Sequence, residues 1–242
     1  MAVRLHWGGR QVGAIILGAL LMAGGGASSV FGQTVSPGGD AAASPWTGPW
    51  IGVAALGGWN TNATSEFVAR TGAAFHSFDT LGAGGGGLAS FGYDWQLQAN
   101  KVTVGIVGDI GFLHDPGGQV FRTTTNLTGS GGVRLGFAAS PALLLYAQSG
   151  IAFADEAVTI DLGGPPMQLN RFTPGIAVGA GGEYVIAAGR RAPIGKTLSL
   201  FTEFEHVWWA ADTIDMPAAA PGLDFQWRSQ SNLVEAGARV HF

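Results

Sequence analysis

The sequence predicts an all-β protein: an eight-stranded antiparallel up-and-down barrel that spans a membrane, preceded by a signal peptide. Three observations carry this. Eight segments alternate apolar and polar residues with a period of two, whereas no segment keeps a 3.6-residue stripe with capping residues at its ends. Those segments are joined by connections that are alternately short and long. Composition agrees, because the 242 residues are 47% hydrophobic and only 12% charged, against about 25% charged in an average soluble domain. The 41 glycines are scattered through the apolar segments, where a helix would be penalised at each of them.

The N-terminus reads as an export signal over residues 1–32. Arg4 and Arg10 form a positive front, "VGAIILGALLMAGGG" follows, and "SVFGQ" offers cleavage after Gly32. The apolar core, Val12 to Ala23, is shorter than the ~20 residues a helix needs to cross a bilayer. Residues 33–48, with the small and polar stretch "QTVSPGGDAAASP", read as a flexible periplasmic tether. The barrel is assigned to residues 49–242. The absence of cysteine excludes disulfides, thiolate metal sites and a lipidated Cys.

The eight segments follow in order. The first is "PWIGVAALGGW", Pro49 to Trp59. The second, Leu81 to Leu97, sets Ala89, Phe91, Tyr93 and Trp95 against Ser90, Asp94 and Gln96. The third, Lys101 to Phe112, sets Val104, Ile106 and Ile110 against Thr103 and Asp109. The fourth, Ser130 to Ala138, sets Val133, Leu135 and Phe137 against Arg134. The fifth, Ala142 to Phe153, sets Leu143, Leu145 and Ile151 against Tyr146 and Gln148. The sixth, Thr173 to Ile186, sets Ile176, Val178 and Tyr184 against Glu183. The seventh, Thr197 to Trp208, sets Leu198, Leu200 and Phe204 against Ser199, Glu203 and Glu205. The last, Asn232 to Phe242, sets Val234, Ala236 and Val240 against Glu235, Arg239 and His241.

A soluble sandwich also alternates, but it carries many charges on its outer face. Here the polar face is sparse and small, which suits a narrow lumen, while the apolar face is nearly continuous, which suits lipid. In hydrocarbon only a closed barrel pairs every backbone group of a set of strands. The connections Asn60–Thr80, Leu113–Leu127, Ala154–Arg171 and Trp209–Ser229 read as four long external loops, against the short "QAN", "ASP" and "AGRRAPIGK" on the other side. Trp46, Trp50 and Trp59 flank the first segment, and Trp95, Trp208 and Trp209 stand at segment ends, where amphipathic rings favour the water–lipid interface.

"PWTGPWIGV" resembles the opening of small outer-membrane β-barrel proteins of the opacity and OmpA-like type, some of them labelled porins. "FGYDWQ", "GIVGDIGF", "GGVRLGFA", "GAGGEY" and "VEAGARVHF" are similar to that family's second, third, fourth, sixth and eighth strands, in order. The resemblance implies a place in the bacterial outer membrane. It also makes Phe242 the assembly signal read by the outer-membrane insertion machinery. Pro49 departs from the family's aromatic, and since Pro donates no ladder hydrogen bond it is expected at the very start of its strand.

The lumen is expected to hold Asp94, Asp109, Arg134, Glu183, Glu203, Glu205, Glu235, Arg239 and His241 as a polar network, with Arg239 as counter-charge to Glu203 or Glu205. Buried charges need such pairing, and an eight-stranded interior is only wide enough for side chains to fill. The resulting expectation is a structural and surface-interaction role through the external loops. Its partners would be outer-membrane lipids or lipopolysaccharide and surface or host ligands.

The alternatives are a narrow channel or a barrel binding a small ligand such as haem, with His76 and His114 in the loops, and, more remotely, a lipid A-modifying enzyme. For the last, Glu205 and His206 with Ser229 or Ser231 are the nearest to a Ser–His–acid set, but His206 falls on the lipid-facing register. No catalytic residue, cofactor or metal is assigned. The run Gly82 to Gly87 lacks the Lys-Ser/Thr of a phosphate loop. The tripeptides at Asn62 and Asn126 match a glycan acceptor pattern that is idle in a bacterial barrel. The formal net charge of −4 offers no basic field for nucleic acid.

Overall fold

The computed structural model describes residues 45–68, 74–97, 101–114, 121–160, 167–189, 197–215 and 223–242. Residues 1–44, over which the sequence predicts the signal peptide and most of the tether, lie outside them. The strands are β1 (Gly48–Val68), β2 (Ala74–Gln96), β3 (Val102–His114), β4 (Phe121–Ser140), β5 (Leu143–Ile160), β6 (Met167–Ala188), β7 (Thr197–Trp209), β8 (Asp212–Asp215) and β9 (Leu223–His241). Each of β1 to β6 pairs with its successor in sequence, β7 pairs with β9, and β9 pairs with β1, every pairing being antiparallel. Eight long strands therefore close on themselves. The short β8 adds only to the top of β9, from Asp212↔Trp227 to Asp215↔Asp224.

The closing seam runs from Trp50↔His241 to Val68↔Leu223, and Phe242 extends it by donating its N–H to the carbonyl of Pro49 at 3.0 Å. Pro49 is the second residue of β1. Gly48, with φ at 135°, lies against the Phe242 carbonyl, where a Cβ would come within 2.4 Å of the oxygen.

The period-two pattern sorts side chains as hydrocarbon requires. Val53, Phe112, Leu135 and Ile151 are each about three-fifths exposed, and they belong to a belt of large apolar groups that also includes Ile51, Phe91, Ile106, Val133, Leu145, Val178, Leu200 and Val234. A soluble monomer rarely shows a contiguous apolar surface above a few hundred Å². This belt therefore has acyl chains for its solvent, and the closed ladder leaves no backbone edge within it.

The long external loops expected from the sequence are corrected here, since much of each one is strand. β1 runs on to Val68 and β2 starts at Ala74; β5 runs on to Ile160 and β6 starts at Met167. Strands of 21, 23, 20, 18 and 22 residues in β1, β2, β4, β5 and β6 exceed the ~9–11 that a tilted strand needs to cross a bilayer. The surplus projects beyond the membrane as hairpins. There the apolar alternation fades, because water solvates both faces, while the backbone ladder continues.

A second correction concerns the tether. Its last residues pack with the barrel: Trp46 is buried against Ala138, Leu144 and Tyr146, and the Thr47 hydroxyl accepts the Gln96 N–H at 3.0 Å.

Candidate functional site

Among the described residues the buried ionisable groups collect in the lumen, which fills in layers. At the end that holds Trp46 and Phe242, Glu183 is completely buried and accepts from three directions. Arg134 Nη2 lies 2.9 Å from Oε2, Arg239 Nη1 3.1 Å from the same oxygen, and His241 Nε2 2.5 Å from Oε1. Ser199 Oγ donates to Oε1 as well. Arg239 reaches on to Glu203 at 3.4 Å and to the Tyr146 hydroxyl at 2.9 Å, while Arg134 stands 3.7 Å from Asp94. Tyr146 and Gln148 both donate to Glu203.

Both guanidinium planes also lie against rings. Arg134 is 3.7 Å from the Tyr146 centroid, and Arg239 is 3.6 Å from that of Phe201 and 4.6 Å from that of Trp50. A dry cation on an aromatic face gains about 2 kcal/mol or more. Trp46 sets its ring edge-on to His241 at 5.8 Å and closes this end of the barrel from below.

Glycines make room for that stack. A Cβ on Gly92 would come within 2.5 Å of the Trp50 ring, and one on Gly181 within 2.7 Å of the Tyr146 ring. Gly181→Ala is expected to cost about 1–3 kcal/mol, the usual penalty for overpacking, and to loosen the Tyr146–Glu203 contact. Urea unfolding of the refolded barrel would measure it.

The middle layer is acidic. Asp109 accepts from the Ser130 N–H at 2.9 Å and from its hydroxyl at 2.5 Å, and Glu203 and Glu235 face each other across β7 and β9, with Glu205 next along β7. Among the described residues no cation lies within ion-pair distance of Asp109, Glu205 or Glu235. Above it, Leu56, Leu88, Leu113, Val207 and Leu233 meet as an apolar collar. Beyond the collar, Arg171 and Glu156 pair at 2.6 Å beside Thr173. A cavity lined by Asn60, Thr125, Glu156, Trp209 and Ser231 offers about 10 Å³, room for about one water.

All nine residues assigned to the lumen from the sequence point inward, and the structure joins Asp94, Arg134, Glu183, Glu203, Arg239 and His241 into one network. Trp59, Trp95 and Trp208 point outward and are each more than two-fifths exposed. Three aromatics are corrected. Trp50 is 1% exposed and lies inside the barrel over Arg239, since Gly92 opposite leaves space for it. Trp209 also turns inward, donating its indole N–H to Ser231 Oγ at 2.7 Å. A third, Trp46, which the sequence groups with the interfacial aromatics flanking the first segment, is 1% exposed and packs with Ala138, Leu144 and Tyr146, and the Glu156–Arg171 pair lies where the sequence places a loop.

His206 faces outward while Ser229, Ser231 and Glu205 are buried inside, so the barrel wall separates the members of any Ser–His–acid set. Among the described residues no group of His, Asp and Glu is arranged to hold a metal ion. His114 is exposed at the end of β3, and the side chain of His76 lies outside the described residues.

Neither a family model nor a curated protein matches the sequence. Among solved structures, the chain is similar to Ail, the attachment invasion locus protein of Yersinia pestis, crystallised with the heparin analogue sucrose octasulfate. The identity is 13% over 80% of this chain and 99% of Ail, at a TM-score of 0.35. Neisserial surface protein A gives 14% over 78% and 97%, at 0.37. OprG of Pseudomonas aeruginosa gives 13% over 81% and 97%, at 0.41. These are loose likenesses of fold, and no chemistry follows from them. The chain's own geometry is more telling. An even-stranded antiparallel barrel with an apolar exterior and a polar lumen is the architecture of bacterial outer-membrane proteins, and this chain has it.

Proposed function

We propose that the protein is an integral outer-membrane barrel whose role is structural and surface-directed. A sealed lumen holds the wall rigid, and the hairpins above the membrane present backbone and side chains to surface ligands. The observation that carries this reading is the filling of the lumen. Trp46 and the Arg134–Glu183–Arg239 network occupy one end, and the leucine collar closes over the acidic layer above them, which suits a scaffold rather than a conduit. A surplus of strand outside the membrane suits a role outside the cell, since strand-borne groups are held more firmly than those on a free loop.

Planar-bilayer recording tests the seal. The purified barrel is expected to show no discrete openings of porin size, and Leu56→Ala combined with Leu233→Ala, which opens the collar, is expected to raise the leak. Large steady openings in the parent protein would contradict a sealed lumen. In cells, the protein is expected in the outer-membrane fraction with a gel mobility that changes on boiling.

A further inference from the structure

The lipid-facing wall is not uniform around its circumference. On β4 to β6 the outward residues near the outer end of the belt are the apolar Leu127, Ile151, Phe153, Phe172, Pro174 and Ile176, with the acidic Asp155 between Leu127 and Phe172. On β9 the outward register changes character at the same end: Val234 is followed by Asn232, Gln230 and Arg228. Asn232 pairs across the ladder with both His206 and Trp59, and its Oδ1 lies 2.8 Å from His206 Nδ1. His206 stands edge-on to Trp208 at 4.3 Å, and Trp59 leans on Phe204 at 6.3 Å. Gln230 and Arg228 are exposed.

Height along the strand says what meets this face. Asn232 is ten residues from Phe242, so a strand tilted by ~40° raises it ~26 Å above the terminal residue, the top of a belt about 25 Å tall. Gln230 and Arg228 climb from there in steps of about 7 Å along the strand, where acyl chains give way to headgroups.

With Oδ1 held by His206, Asn232 keeps its two amide N–H donors for another partner. Gln230 adds an amide, Arg228 adds five N–H donors and a fixed positive charge, and two Trp rings flank the row. Side-chain donors dominate, and no acidic side chain is described within this row.

We propose that the outward row Asn232–Gln230–Arg228, supported by His206 and flanked by Trp59 and Trp208, binds the phosphorylated headgroup of a lipid of the outer leaflet. Arg228 and Gln230 take the phosphate oxygens, and Asn232 takes the ester or sugar oxygens at the acyl boundary. A second barrel copy fits less well, because this row would set its Arg228 near another of the same sign in a two-fold contact.

This inference rests on the outer-membrane placement proposed above, and the two fail separately. The barrel is reconstituted in phosphatidylcholine nanodiscs holding lipid A or the same lipid A with its phosphates removed. Retained lipid is then counted by native mass spectrometry after release into detergent. Phosphorylated lipid A is expected to be retained about tenfold better, the worth of one charge-assisted hydrogen bond. Arg228→Gln with Gln230→Leu is expected to abolish that preference, and Phe172→Leu on the far wall to leave it intact. Equal retention of the two lipids by the parent protein overturns the site, as does an unchanged preference in the double variant or a dimer peak that the double variant removes. Loss of the heat-dependent gel shift in the parent would instead overturn the barrel reading itself.

Discussion

Arg239→Ala is expected to destabilise the folded barrel by about 3–5 kcal/mol, the cost of breaking a buried ion pair from one side. Arg239 is the hub of the lumen, contacting Glu183, Glu203, the Tyr146 hydroxyl and the faces of Phe201 and Trp50. Truncation leaves Glu203 with only the neutral donors Tyr146 and Gln148 among its described partners, and it empties the space between two rings. Arg239→Lys keeps the charge but not the flat guanidinium that spans two carboxylates and lies on Phe201, so an intermediate loss is expected. Urea titration in lipid vesicles, followed by Trp fluorescence and gel shift, measures both. A loss below about 1 kcal/mol in the alanine variant, the range of an exposed pair, would mean that water already reaches this layer.

Ile106→Arg is expected to cost about 2–4 kcal/mol when measured by the same titration, as for a cation placed at the bilayer midplane. Ile106 is 54% exposed and paired with Tyr93 and Val133 in the belt, so its side chain has hydrocarbon on its open side. The same change at Gln168, an exposed β6 residue above Phe172, is expected to cost about 0–1 kcal/mol because it lies at or beyond the interface. In a soluble protein the difference would vanish, since an exposed Ile accepts Arg with as little loss as an exposed Gln. The contrast between the two sites carries the test.

Much of this was legible from residue type alone. A strand forces alternate side chains to opposite faces, so the run of Val234, Ala236, Ala238 and Val240 against Glu235, Arg239 and His241 announces its own inside and outside. The direction of each lumen charge follows from the same parity.

Parity also misled. Trp50 falls on the inward register, yet a Trp at the start of a strand suggests an interfacial anchor. Only the neighbouring Gly92, a cross-strand partner forty-two residues away in sequence, makes space for it within. Trp46 reads in the same way as an interfacial aromatic, because its segment has no period to assign it a face, and its burial depends on the cavity formed by Ala138, Leu144 and Tyr146. The external hairpins were misread as loops because apolar alternation marks strand in contact with lipid. Beyond the membrane a ladder persists through backbone hydrogen bonds that leave no such trace in the sequence.

The most direct test of the central claim, apolar side chains in lipid and ionisable ones enclosed, uses the absence of native cysteine. Single cysteines at Leu145, Ala147, Ser149 and Ile151, and at the inward Ala152 and Ala154, would each carry a nitroxide in the vesicle-reconstituted protein. Collisional relaxation by dissolved oxygen and by a water-soluble nickel chelate is then compared at each site. High oxygen and low nickel collision rates at the four outward sites, with both rates low at the two inward ones, is the predicted result. Strong nickel collisions at Leu145 and Ile151, or protection of both from oxygen, would contradict it.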